Sequence, residues 1–406
     1  MYIIYPIHKL KIQFGAVTLR ILITTEFYLP LICGVTTAVL NQKKALEEKG
    51  HEVRILTIND ENRSYFKDNV YYVRSNLAKL YKDSNATTAF NDSILKDVYA
   101  WNPDVVHAQC EFFTMIFAKK IAKHCQTPLI LTSHTDFDSY GVHFMKNQKL
   151  WCWITRTFIP KLIKKADFII CPTNKNFDIL KGYGVKNDMK IIPVGLDLEH
   201  LKQQLTEEER KTMRSSYGFT DDNIVVVSVC RLSEEKNVTE SIDHFKSLYA
   251  KRPDCRMLIV GDGTTKTALE EKVEKLNLTD AIKFTGSIEM NDVWKFYKLG
   301  DIFISSSLSE IQGLTYIEAL STSLPIICRK DDALKMSLIY GVNGYDFITD
   351  EEFMERILPL VDDKEERLKM GRQALESVEK YSIPHFGESL LEVYDKILKK
   401  DYHYRK

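Results

Sequence analysis

The chain has 406 residues, more than a single ordinary hydrophobic core organises, so two domains are expected. Hydrophobic residues make up 44% and charged residues 28%, the profile of a soluble globular protein, and 56 Lys+Arg against 56 Asp+Glu leave no net charge. That balance argues against a nucleic-acid-binding protein, which carries a basic excess, and allows only local basic patches.

The first nineteen residues, MYIIYPIHKLKIQFGAVTL, read as an N-terminal extension, because Lys9 and Lys11 break any apolar core of a signal peptide. The run from 20 to 25 predicts the first strand. Val35, Ala38, Val39, Gln42 and Leu46 then fall at helical spacing, with Gly50 as the stop. Strands are expected near 52–58, 104–107, 128–133, 167–171 and 190–193. After a joint near 194–202 the pattern restarts, with a strand near 223–230 and a helix near 237–251. Strands near 256–260, 281–285, 301–305 and 324–328 follow, and the stretch 364–400 reads as helical and charged.

Such alternation predicts an α/β protein of two doubly wound, Rossmann-like domains facing across a cleft. Their expected limits are 20–195 and 196–380, with 381–406 a helix packing back toward the first. The apolar run 21–40 is interrupted by Glu26, Pro30 and Gly34, so no membrane span is expected. Eight cysteines without a C-x-x-C pair, several inside apolar runs such as Ile169-Ile170-Cys171, fit a reducing cytosol.

Open parallel sheets carry their sites beyond the carboxyl ends of the strands. In VVVSVCRLSEEKN, Arg231 leaves a strand and Lys236 precedes a helix, which suits a diphosphate clamp; the alternative is a surface loop paired to Glu234 and Glu235. In SLSEIQGLTYIEALSTSLP, Glu310 follows a strand, Gly313 permits close approach to the backbone, and the helix from about Leu314 opens with free N–H groups. Glu318 lies in an otherwise apolar helix and therefore needs a partner. Ionised carboxylates are acceptors for pairs of hydroxyls, which suits a sugar or a ribose.

Gly34 stands between the first strand and helix, at the position of a phosphate-approaching glycine or of a simple turn. In SHTDFDSYGVHF, His134 ends a strand, while Asp136 and Asp138 lack the further ligands of a Mg²⁺ or Mn²⁺ site. Trp151, Trp153 and Phe158 are interleaved with Lys149, Arg156, Lys161, Lys164 and Lys165. That pattern fits an anionic bilayer surface as well as it fits a domain helix, and Pro160 is expected to interrupt the helix.

As an ordered set, Gly34, His134, RLSEEKN, VGDG at 260–263, FTG at 284–286 and the spacing of Glu310 and Glu318 resemble the retaining GT-B glycosyltransferases of family 4. The likeness spans most of the chain. TEFYLPLICGVTTAV, SHTDFDSYGVHF, KADFIICPT and SEIQGLTYIEAL are further similar to bacterial 1,2-diacylglycerol 3-alpha-glucosyltransferases. The resemblance implies an acceptor domain first and a nucleotide-sugar domain second. It implies that Arg231 and Lys236 neutralise the donor diphosphate and that Glu310 reads the sugar hydroxyls. Backbone at Gly313, Leu314 and Thr315 would contact sugar or phosphate, Glu318 the ribose, and Gly34 the phosphates, with His134 beside the reacting sugar. Ser323 and Cys33 stand where the family usually carries glycine, or in the second case glycine or asparagine.

The activity so implied is retaining transfer of a hexose, glucose by preference, from a UDP-sugar to a lipid such as diacylglycerol. It would take place on the cytoplasmic face of the membrane, with no cofactor and no metal. The same chemistry on a cell-wall polymer, saccharide or protein is the nearest alternative. A non-catalytic GT-B partner subunit is a further one, although it would be free to lose Arg231, Lys236, Glu310 and Glu318, which are all present.

Overall fold

A computed structural model describes residues 18–77, 85–138 and 147–404. Most of the predicted 1–19 extension and the end of SHTDFDSYGVHF, residues 139–144, lie outside the described residues.

The amino-terminal sheet has eight strands: β1 Arg20–Thr24, β2 Glu52–Ile58, β3 Tyr65–Lys67, β4 Val70–Val73, β5 Val105–Ala108, β6 Leu129–Thr132, β7 Phe168–Cys171 and β8 Met189–Ile191. Their order is β3-β4-β2-β1-β5-β6-β7-β8, parallel apart from the β3–β4 pair. The carboxyl-terminal sheet has six parallel strands: β9 Ile224–Val229, β10 Cys255–Val260, β11 Ile282–Phe284, β12 Ile302–Ser305, β13 Ile326–Arg329 and β14 Gly344–Phe347, ordered β11-β10-β9-β12-β13-β14. The central strands are buried along almost their whole length, β1 from Ile21 to Thr24 and β9 from Val225 to Val229. Unbroken burial reflects helices on both faces, the crossovers that parallel strands require.

In the first sheet, Leu22, Val106, Leu131 and Ile169 face one apolar layer that includes residues of the helices Phe113–Cys125 and Gln148–Ile163. Ile21, Ile23, Val105 and Ile130 face the other, formed with Gly34–Glu48 and the last helix, Ile383–Tyr404. That last helix thus returns from the second half of the chain to cover the first sheet. The two crossings between halves are joined to each other: the Leu196 N–H donates to the Tyr381 carbonyl at 2.7 Å, and Leu196 bridges Ser382. Gly195 is pressed beneath Phe386, where a Cβ would come within 2.6 Å of that side chain.

Two local expectations are corrected. Pro160 does not interrupt the helix Gln148–Ile163, which runs through it; so near the carboxyl end, the missing N–H removes one bond and leaves the rest of the helix intact. The β3–β4 hairpin and β14 were absent from the predicted strands. They are three or four residues long and include half-exposed or exposed positions, so neither shows a clean apolar run.

In each sheet the chain order reverses beside its first strand. From β1 it runs to β2 on one side and β5 on the other; from β9 it runs to β10 and β12. At such a switch point the loops leave in opposite directions and open a crevice beyond the strand ends.

Candidate active site

The β9 switch point carries the charged cluster. Past β9 the chain passes Cys230 and Arg231 and forms a short 3-10 turn, Glu234–Lys236, before the helix Val238–Lys251. Gly261, at the end of β10, lets this loop lie close: its φ is 131°, and a Cβ would sit 1.9 Å from the Cys230 carbonyl oxygen. Past β12 a second loop, residues 306–313, leads into the helix Leu314–Ser321. The loops are tied together, the Leu308 N–H and Ser307 hydroxyl both donating to the Glu235 carbonyl, at 2.9 and 3.3 Å.

The contact that matters lies between them. Lys236 Nζ donates to Glu310 Oε1 at 2.5 Å. Burial is the largest single effect and opposes the ammonium, but the Glu310 charge and hydrogen bond, with the Glu235 charge adding to them, together hold Lys236 above the usual lysine range. Arg231 Nη2 donates to Glu235 Oε1 at 3.0 Å, and that oxygen also takes the Ser233 hydroxyl at 2.7 Å. Arg231 is therefore paired within its own loop, as the surface-loop alternative anticipated, whereas Lys236 reaches across to the other loop.

Gly313 caps the helix Leu314–Ser321 with φ 65° and ψ 60°, and no side chain caps its first N–H groups. A Cβ at Gly313 would meet the Tyr316 ring at 2.4 Å, so both backbone and space demand glycine. Leu314 and Thr315 open the helix and are half-buried. Glu318, on the same helix, is half-buried and accepts a hydrogen bond from the Tyr297 hydroxyl at 2.7 Å. Burial raises its carboxyl and the Tyr297 bond opposes this. The partner that an apolar helix demanded is Tyr297. Ser323 has φ 67°, the left-handed conformation for which glycine is the usual residue.

On the amino-terminal side, Gly34 is the first residue of the helix Gly34–Glu48, and a Cβ there would meet nothing within 4 Å. Open space rather than a tight turn surrounds it. His134 lies two residues past β6 and bonds through Nε2 to Gln109 Oε1 at 2.8 Å. Burial lowers its imidazole to about 4, so the ring is neutral near pH 7. Asp136 forms a 3.6 Å ion pair with Lys175, and Asp138 accepts from the Thr155 hydroxyl at 3.2 Å. The two aspartates thus engage different partners.

Several groups escaped the sequence reading. Lys175 spans the cleft, donating to the Glu310 carbonyl at 2.8 Å and pairing with Asp331 at 2.9 Å. Beside it the Thr173 hydroxyl donates to the Ile311 carbonyl at 2.9 Å. Glu26 and Glu111, beyond β1 and β5, are buried acids: Glu26 Oε1 takes the Thr114 N–H at 3.1 Å and Glu111 Oε1 the Ser133 hydroxyl at 2.8 Å. Their positions just past strand ends, in ITTEF and HAQCEF, were the available signal.

The aromatic and basic helix divides by side. The Trp151 indole N–H donates inward to the Phe137 carbonyl at 2.6 Å, whereas Trp153 and Phe158 are each 62% exposed. Lys149, Arg156, Lys161, Lys164 and Lys165 are exposed as well. Among the described residues no helix is long and apolar enough to cross a membrane.

The chain is similar to known proteins in sequence and in fold. The family model described as Glycosyl transferases group 1 matches residues 209–377, and that described as Glycosyltransferase Family 4 matches 32–200. An alpha-monoglucosyldiacylglycerol synthase of Acholeplasma laidlawii is 29% identical over 399 residues, 94% of this chain and 98% of that one. Its counterpart from Streptococcus pneumoniae is 29% identical over 311 residues, 76% of this chain and 70% of that one. In fold, the chain is similar to Anabaena HepE, solved in complex with UDP and glucose: TM-score 0.75, 16% identity, 93% of this chain and all of that one.

Proposed function

The chain belongs to the family 4 glycosyltransferases of the GT-B fold and is a hexosyltransferase; from that premise we propose that it moves glucose from UDP-glucose to diacylglycerol, with retention of configuration. In this reading the half built on β9–β14 holds the nucleotide sugar and the half built on β1–β8 presents the acceptor.

Breaking a sugar–phosphate bond leaves negative charge on the diphosphate and positive character on the sugar. Lys236 and Arg231 stabilise the first as it develops, and cations already in place are the largest electrostatic contribution such a site makes. Glu310, with one oxygen on Lys236, turns its other acceptor positions to the sugar hydroxyls. Glu318 takes ribose hydroxyls, and the N–H groups at Leu314 and Thr315, opened by Gly313, meet sugar or phosphate. Gly34 leaves the phosphates room, and neutral His134 lies beside the reacting sugar. Closure of the halves excludes water, so an acceptor hydroxyl reacts in preference to hydrolysis.

The observation that carries this reading is the Lys236–Glu310 contact, which brings an ammonium and a carboxylate together beyond the ends of β9 and β12, as a site for a diphosphate and a sugar would require. Exposed Trp153 and Phe158 among lysines support access to a lipid acceptor at an anionic membrane surface on the cytoplasmic side. The test is UDP release from a panel of UDP-sugars with diacylglycerol, glucosyl-diacylglycerol and soluble glycans. Release from UDP-glucose stimulated by diacylglycerol is expected; stimulation by a soluble glycan alone would overturn the lipid acceptor.

A further inference from the structure

A chain of buried polar groups runs from His134 into the layer beneath the last helix. Gln109 Oε1 meets His134 Nε2 at 2.8 Å, and Gln109 Nε2 donates to Gln42 Oε1 at 2.7 Å. Gln42 Nε2 lies 2.7 Å from His107 Nδ1 and 3.0 Å from the Tyr394 hydroxyl, which are 2.6 Å from each other. His107 Nε2 closes the chain on the Thr132 hydroxyl at 2.7 Å. Gln42, His107, Gln109 and Tyr394 are each 1% exposed or less. The members come from the helix Gly34–Glu48, from β5 and its end, from β6 and the loop after it, and from the last helix.

Donor and acceptor roles follow link by link. A glutamine amide has one accepting end and one donating end. Gln109 gives its amino end to Gln42, so its oxygen faces His134, and an oxygen only accepts. His134 Nε2 must then carry the proton, which leaves Nδ1 of the neutral ring bare. Gln42, its oxygen occupied, presents amino hydrogens to His107 Nδ1 and Tyr394 Oη. His107 Nδ1 is accordingly bare and its Nε2–H donates to Thr132. Reversing the order requires both amides to turn together, because turning one alone sets two like ends face to face. A buried polar group left unpaired is unfavourable, so the chain holds its ends in step.

We propose that Gln109 and Gln42, anchored by Tyr394, are positioning residues that fix the tautomer and orientation of the His134 imidazole, so that docking of the last helix on the first half sets the state of that ring. The inference rests on the reading of His134 as a residue beside the reacting sugar. A purely structural role, in which the chain only registers the helix on the sheet, leaves the His134 tautomer unaffected by a change at Tyr394.

The experiment uses the full chain labelled with ¹⁵N-histidine, the His134 ring signals being assigned by loss in His134→Gln. The variants are Gln109→Leu and Tyr394→Phe, the second removing one hydroxyl and keeping the ring that packs in the core. The expected result is an Nε2–H tautomer in the parent and a measurable shift toward Nδ1–H in both variants. UDP release from UDP-glucose in the presence of diacylglycerol should fall about 10- to 100-fold in kcat, as expected for a misplaced group, with donor KM little changed. His134 signals unchanged in Tyr394→Phe would overturn the proposal, whatever Gln109→Leu does to folding. Shifted signals with unchanged turnover would instead remove His134 from the reaction and leave the chain's hold on its ring standing.

Discussion

Glu111→Gln should make the protein more resistant to unfolding at neutral pH and not at acid pH. Glu111 is 2% exposed, and burial, with the Glu26 charge adding to it, raises its carboxyl from 4.5 to about 8. Glu26 is 8% exposed; burial raises it to about 7 against the Thr114 and Phe113 N–H groups, which act in the opposite direction. In the unfolded chain both lose their protons near 4.5. The unfolded state therefore binds fewer protons over the interval between, and stability falls as pH rises through it. The slope is about 1.4 kcal/mol per pH unit for each acid, so from pH 5 to pH 7 the pair together lowers stability by roughly 5 kcal/mol. Glutamine keeps an oxygen for the Ser133 hydroxyl and has no proton to lose, so Glu111→Gln removes about half of that decline. Urea midpoints followed by tryptophan fluorescence at pH 5 and pH 7 measure it, any constant packing difference cancelling between the two. The variant should gain on the parent as pH rises. A gap that stays constant, or that widens toward acid pH, would refute the reasoning.

Lys236→Ala should lower UDP release from UDP-glucose by about 10²–10³-fold, the loss of one charge-assisted contact at a transition state, with the urea midpoint little changed. Glu310→Gln should reduce kcat more than UDP affinity, and Glu318→Ala the reverse, as read by turnover and by calorimetric UDP binding; the opposite pattern would exchange their roles. Changing Lys161, Lys164 and Lys165 together to glutamate should abolish binding to vesicles rich in phosphatidylglycerol. Parent binding should weaken between low and high salt, because surface charges are screened beyond roughly 10 Å at 0.1 M; binding indifferent to both changes would rule out an electrostatic membrane contact.

The layout of elements was legible because it is written in local pattern. Runs such as RILIT at β1 and IVVVSV at β9 are short, rich in β-branched residues and buried almost end to end, the pattern of interior parallel strands. Glu310 and Gly313 were found for the same reason: a carboxylate and a glycine just past such a run stand at the mouth of the sheet. Glu318 was found through contradiction, as a charge in an apolar helix, although its partner Tyr297 could not be read from spacing. Pro160 shows the opposite failure, since a local rule expected a break that one lost hydrogen bond near a helix end does not impose.

Hydrophobic periodicity is a property of neighbours along the chain, so the amino-acid order by itself determined two doubly wound halves and the kinds of side chain at their strand ends. Which of those side chains meet was decided only by the tertiary structure. Lys236 finds Glu310 across 74 residues while Arg231 turns back to Glu235 within its own turn. Gln42 reaches Tyr394 across 352 residues because the last helix returns to lie on the first sheet. Hydrogen bonds and ion pairs form over about 3 Å, and that distance between remote residues exists only after strand order and helix docking are complete.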